Sequence, residues 1–139
     1  MEDHLQVLRD FFAADKFAAG IGIVIDNVTD KHVVCSLELN DSHHNAGGGV
    51  QGGAIFTLAD LTFAIACNTD YVFGKAPTMS VGASCTISYL KATRGTKLFA
   101  ESTTLNQGRT LGNYRINVRD DLGIEIAEVL CTSCRLPRH

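Results

Sequence analysis

Gly52-Gly53-Ala54-Ile55-Phe56-Thr57-Leu58-Ala59-Asp60-Leu61-Thr62-Phe63-Ala64-Ile65-Ala66-Cys67-Asn68-Thr69-Asp70 is the stretch on which the fold turns. Wound at 3.6 residues per turn, it carries apolar side chains nearly all round: Ile55, Phe56, Leu58, Ala59, Leu61, Phe63, Ala64 and Ile65. Such a helix belongs in a protein interior, so another part of the chain must cover it. Thr57, Asp60 and Thr62 interrupt the run. Its most apolar part, residues 53–67, is shorter than the roughly 20 residues a bilayer requires, so no membrane span is expected.

The covering surface lies on both sides. After a turn through Phe73-Gly74-Lys75-Ala76-Pro77, residues 78–90, 96–106, 110–120 and 124–136 read as four long strands. Their breaks are Arg94-Gly95, Gln107-Gly108 and Asp120-Asp121-Leu122-Gly123, and Tyr114, Ile116 and Val118 alternate with Arg115 and Asn117. Before the helix, residues 22–28 and 31–39 form a hairpin with its turn at 27–30, and residues 40–49 form a polar loop. Leu5, Leu8, Phe11 and Phe12 mark an amphipathic helix over 2–17 that ends near Gly20. The expectation is an α+β fold: one antiparallel sheet of about six strands curled around a central helix, with an N-terminal helix laid over it.

The chain of 139 residues fits a single domain, 1–139, with no repeat or linker to divide it. Its 12 Lys+Arg against 15 Asp+Glu, with no basic run and no Trp, argue against a nucleic-acid platform. Charged residues make up 19% of the chain, below the roughly 25% usual for soluble domains, which points to surface buried in an assembly. The first residues lack the pattern of a signal peptide, and the 5 cysteines sit mostly among apolar neighbours. A cytoplasmic protein with reduced thiols is expected.

Asp60 is the residue that most needs a reason. A lone ionised carboxylate among Leu58, Ala59, Leu61 and Phe63 is costly. Either it lies on a narrow solvent-facing stripe with Thr57 or bonds a backbone donor, or it is a general base or nucleophile in an apolar cleft. Gly47-Gly48-Gly49-Val50-Gln51-Gly52-Gly53 runs straight into the helix start, where free N–H groups without a Cβ in the way can receive a polarised carbonyl. A flexible turn and cap would use the same glycines. A phosphate-binding P-loop is disfavoured, because its Gly-Lys-Ser/Thr is missing.

His43-His44 reads as a solvated loop pair rather than a metal site. Cys131 and Cys134 fall on opposite faces of a strand, so neither a metal nor a redox pair is assigned.

His44-Asn45, Gly48, Val50 through Asp60, Phe63-Ala64 and Ala66-Cys67-Asn68 together resemble the signature of the PaaI-type acyl-CoA thioesterases of the hotdog fold. The resemblance continues through Ser80-Val81, Ile87-Ser88-Tyr89-Leu90-Lys91-Ala92, Gly95 and Gly108-Arg109-Thr110. It implies a homo-oligomer, commonly a dimer of dimers, whose active site lies between subunits. It also implies that Asp60 activates water or attacks the thioester carbonyl, that the Gly52 N–H polarises that carbonyl, and that Asn45 positions water or the acid. Gln51 stands where many members have His, and glutamine hydrogen-bonds without titrating near neutrality.

Gly53, Ser80, Lys91, Arg94, Arg109 and Thr110 are the substrate-binding candidates, the cationic residues being either contacts for the phosphates of coenzyme A or exposed turn charges. Phe56, Phe63 and Tyr89 are candidates for the lining of an apolar acyl cleft, in competition with core packing. No cofactor is expected beyond the coenzyme A of the substrate. The expected activity is hydrolysis of an aromatic or medium-chain acyl-CoA to free acid and CoA. A non-catalytic acyl-CoA-binding or regulatory hotdog protein is the alternative, and a hydratase is disfavoured by Gln51.

Overall fold

The computed structural model describes residues 3–138. The expected central helix is α3, Gly52–Val72, preceded by α1, His4–Phe12, and α2, Lys16–Ile21. The strands are β1 Val24–Thr29, β2 His32–Glu38, β3 Ser80–Tyr89, β4 Lys97–Gln107, β5 Leu111–Asp120 and β6 Glu125–Arg135. They form one antiparallel sheet in the order β1-β2-β4-β5-β6-β3, curled around α3.

The inner face of the sheet is the alternation legible in the chain. Val33, Cys35 and Leu37 of β2, Leu98 and Ala100 of β4, and Tyr114, Ile116 and Val118 of β5 are buried against Leu58, Phe63 and Ile65 of α3. Burying each such side chain contributes about 2 kcal/mol, whereas the helix preferences of Ile, Phe and Thr differ by tenths. The sheet therefore holds α3 helical. By length and composition this helix could also cross a membrane, but most of it is buried inside the fold.

Three expectations are corrected. The single N-terminal helix is two, because Asp15 starts a second one: its Oδ1 accepts the Ala18 N–H at 3.0 Å, and Gly22 ends α2 in the left-handed region at φ 98°. Glu2, the first residue of the expected span, lies outside the described residues. The hairpin turn is displaced from 27–30 to Asp30 and Lys31, both at positive φ, as a two-residue connection between twisted strands requires.

The central helix is not covered all round either. Gly53 and Asp60 are exposed and Thr57 and Ala64 half-buried, which leaves one stripe along α3 open. Asp60 thus sits on the stripe with Thr57 that the sequence allowed.

The loop from β3 to β4 is pinned to the β5–β6 turn. Asp120 is buried there and accepts from the Thr93 hydroxyl at 2.7 Å, Ile124 N at 2.9 Å and Leu122 N at 3.0 Å. A side chain at Gly95 would collide with the Asp121 carboxylate, which is why the turn needs glycine. Burial alone would push the Asp120 carboxyl up, but the three hydrogen bonds outweigh it and hold it below the usual carboxylate range.

A depressed folded-state value means that Asp120 stabilises the fold above the ordinary carboxylate pKa and loses that contribution as pH falls through the depressed value. Thermal melts of wild type and Asp120→Ala should differ by several degrees at neutral pH, with the gap narrowing below about pH 4. A gap that stays constant with pH would assign the loss to packing alone.

Candidate active site

Asn40-Asp41-Ser42-His43 makes the turn that delivers the glycine loop. The loop is held by His43, which is buried rather than solvated as expected: its Nε2 donates to Ile21 O at 2.6 Å and its Nδ1 accepts from Asn40 N at 3.1 Å. Both ring nitrogens are thereby used in structure. His44 is exposed, with Nδ1 2.8 Å from Asn40 O.

Asn45 folds the glycines around itself. Its Oδ1 accepts from Gly47 N at 3.0 Å and Gly49 N at 3.1 Å, and its backbone exchanges bonds with Gly48 and Gly49. The Asn45 amide nitrogen keeps its donors for another group. Gln51 caps α3 through its backbone only, so its exposed carboxamide is likewise uncommitted.

The Gly52 and Gly53 N–H groups have no acceptor among the described residues. They carry the positive end of a 21-residue helix. Gly52 is crowded in a way the sequence did not show: the Tyr89 hydroxyl donates to Gly52 O at 3.0 Å, and a Cβ here would sit 3.0 Å from the Tyr89 hydroxyl oxygen, so a side chain at 52 requires Tyr89 to shift by a few tenths of an ångström. Asn45, Gly49, Gly52, Tyr89 and Lys91 line a cavity of about 440 Å³ at the helix start. Its walls are apolar at Val50, Ile55 and Ile126.

Asp60 opens into a different space. A cleft of about 610 Å³ lies between α3, the start of β3 and the α1–α2 elbow, lined by Asp60, Phe63, Cys67, Ser80, Phe11 and Phe12. Asp60 is an exposed residue, yet its carboxyl sinks far enough into this cleft that lost hydration pushes it above the usual carboxylate range, with Asp15 across the cleft adding to the effect. Ser80 is held there by a clamp: Asn68 Oδ1 accepts from Ser80 N at 2.8 Å, and Asn68 Nδ2 donates to Ser80 O at 2.9 Å.

Gly52 and Asp60 are eight residues apart, so the helical rise separates them by about 12 Å. A carbonyl seated on Gly52 N–H is out of reach of the same chain's Asp60. Lys91 lines the same cavity as Gly52, whereas the lining ends at Thr93 and does not include the exposed Arg94. Arg109 and Thr110 lie at the opposite end of the sheet, where Thr110 O accepts from Arg135 N at 2.8 Å.

Of the three aromatic candidates, Phe63 is buried and lines the Asp60 cleft, Tyr89 is exposed beside Gly52, and Phe56 is half-buried against the core. The sequence reading missed Phe11, Phe12 and Asp15 as cleft residues. The signal for Asp15 was present as an acidic N-cap three residues before Ala18.

All five cysteines are free. Burial pushes the Cys35 and Cys67 thiols up to about 12, which makes both unreactive near neutrality. Among the described residues no group of three or more His, Cys, Asp or Glu is placed to hold a metal ion.

Residues 47–127 match the family described as the thioesterase superfamily. The acyl-coenzyme A thioesterase PaaI of Escherichia coli is 31% identical over 105 residues, which are 75% of this chain and 71% of that protein. The solved structure of the E. coli PaaI protein from the phenylacetic acid degradation operon superposes with a TM-score of 0.85 at 25% identity, covering 96% of this chain and 94% of that one. A mutant structure of the phenylacetic acid degradation protein PaaI from Thermus thermophilus superposes with a TM-score of 0.78 at 27% identity, covering 88% of this chain and all of that one.

Proposed function

Because the chain belongs to the thioesterase superfamily and is a thioester hydrolase of the hotdog fold, we propose that it hydrolyses an aromatic or medium-chain acyl-CoA at a site shared by two subunits. The observation that carries the shared site is the separation of Gly52 and Asp60 into two cavities of one chain. The thioester carbonyl oxygen accepts the Gly52 N–H of one subunit. Asp60 of the partner subunit removes a proton from the attacking water, or itself attacks the carbonyl carbon. The tetrahedral oxyanion is stabilised by the helix start, then collapses with release of the CoA thiolate; where Asp60 is the nucleophile, water then hydrolyses the mixed anhydride it carries and regenerates the carboxylate.

The Asn45 amide and the Gln51 carboxamide orient water and carbonyl without exchanging protons of their own. Lys91, with Arg94 beside it, meets the CoA phosphates. Arg109 and Thr110 contribute only if the partner brings the far end of its sheet to the helix start. Gly53 adds a second N–H, and Ser80 a polar wall for the acyl cleft. The acyl group lies against Phe11, Phe12 and Phe63, which supports an aromatic or compact apolar chain.

The edges of the sheet support pairing of two chains. At β1 the edge is bulged near Asp26 and closed by Arg9, whose Nε and Nη2 both donate to Ile25 O at 3.0 and 2.8 Å. At the other edge β3 presents ten residues with Val81 and Tyr89 exposed and no lysine or proline to blunt it. Such an edge invites a second strand, so the proposed dimer continues the sheet through β3. Exposed Leu111 and Leu130 on the outer face supply the contact for a dimer of dimers in the cytoplasm.

A thiol-release assay across aromatic, short, medium and long acyl-CoAs tests the proposal. Turnover should be greatest with an aromatic or medium-chain thioester. Tight binding of acyl-CoA with no thiol released across the panel would favour the non-catalytic reading that Gln51 permits.

A further inference from the structure

We propose that Asp15 is a positioning residue for the reaction: fixed as the cap of α2, it faces Asp60 across the acyl cleft and sets the pH at which Asp60 becomes competent. The inference rests on Asp60 being the base or nucleophile. It adds a residue from the N-terminal elbow, which otherwise serves only as a cover.

The geometry begins with the break between α1 and α2. Asp15 Oδ1 accepts the Ala18 N–H at 3.0 Å, so the carboxylate is tied to the start of α2 instead of swinging free. The same elbow brings Phe11 and Phe12 to the wall of the cleft, and Asp15 and Asp60 line that one cavity from opposite elements. A carboxylate charge held across an apolar space opposes the charging of the carboxyl that faces it. Loss of water already pushes the Asp60 carboxyl up, and Asp15 pushes in the same direction.

The other titratable groups around Asp60 are thiols: Cys67 on α3, Cys85 on β3 and Cys131 on β6. Burial raises all three, and the charge of Asp60 raises them further, so they stay neutral through the working range. Arg135 on β6 acts on Cys67 rather than on Asp60. Among the described residues, Asp15 is therefore the formal charge that bears on Asp60.

A more basic Asp60 accepts a proton from water more readily, at the cost of activity in acid. A bare capping role for Asp15 makes a different prediction. Asparagine caps a helix as well as aspartate does and keeps the bond to Ala18 N–H, but carries no charge. In Asp15→Asn the acid limb of the kcat/KM profile should move to lower pH, with the melting temperature little changed. Asp15→Ser, a second neutral cap, should move the limb in the same direction. Asp10→Asn, which removes an exposed charge on α1 bonded to Gln6, should leave it in place.

An acid limb that coincides with wild type in both Asp15 variants overturns the proposal, provided Asp60→Asn is inactive. If Asp60→Asn retains turnover, the assignment of Asp60 fails first and the role of Asp15 falls with it. The two failures are thus read from different variants.

Discussion

Asp60→Asn should lower kcat by about a thousandfold or more, within the 10²–10⁴ range of a lost general base and beyond it if the carboxylate is the nucleophile. Asparagine has the shape of aspartate but neither accepts the proton of an attacking water nor forms an acyl intermediate. The fold should not suffer. Among the described residues the Asp60 carboxylate accepts no hydrogen bond, and removing its charge relieves the repulsion from Asp15. Steady-state thiol release against the best acyl-CoA of the panel gives the rate, and size-exclusion chromatography gives the assembly. Wild-type turnover in a variant of unchanged size would remove Asp60 from the mechanism. For wild type, a single turnover in ¹⁸O-labelled water that leaves label in Asp60 establishes the nucleophilic role, since a carboxylate acting only as base exchanges no oxygen with the attacking water.

Two inactive variants should restore activity when mixed. Gly52→Pro removes the N–H at the first helical position, the one interior site where proline fits a helix, and Gln51 before it already has the extended ψ of 128° that proline prefers in its neighbour. Tyr89 must yield slightly, and it is exposed enough to do so. In a dimer of Gly52→Pro with Asp60→Asn, one shared site carries both lesions and the other carries neither.

Random exchange of equal amounts should therefore return about one quarter of wild-type activity, because half the dimers are mixed and each has one intact site of two. Unfolding and refolding the two variants together, then assaying thiol release, makes the measurement. No recovery despite confirmed mixed dimers would place the whole site in one chain. Dilution of wild type to monomer should abolish turnover on the same grounds.

The fold was legible because its decisive signals are local. Residues 52–70 have too many apolar positions for a surface helix, and Tyr114, Ile116 and Val118 alternate as a strand over a core must. Where the reading slipped, a short polar residue was responsible. Asp15 caps a second helix in a run whose apolar spacing looks continuous, and Asp30-Lys31 adopt positive φ in place of the glycine that would have announced the turn. His43 looked like half of an exposed pair, and only its partners at Ile21 and Asn40 show that it holds the loop.

By itself the sequence determined the order and kind of the main elements and the apolar helix at their centre, and it offered Asp60 and the helix-start glycines as candidate groups for action on a carbonyl. These follow from side-chain chemistry and spacing along one element. Only the tertiary structure decided that Gly52 and Asp60 open into separate cavities, that Tyr89 packs closely over Gly52, and that Asp15 shares the cleft with Asp60. Each of these depends on distances between elements far apart in the chain, which are set by the packing of the sheet and the α1–α2 elbow around α3. The surfaces that the proposed dimer would cover, the open β3 edge and the uncovered stripe of α3, come into view in the same way.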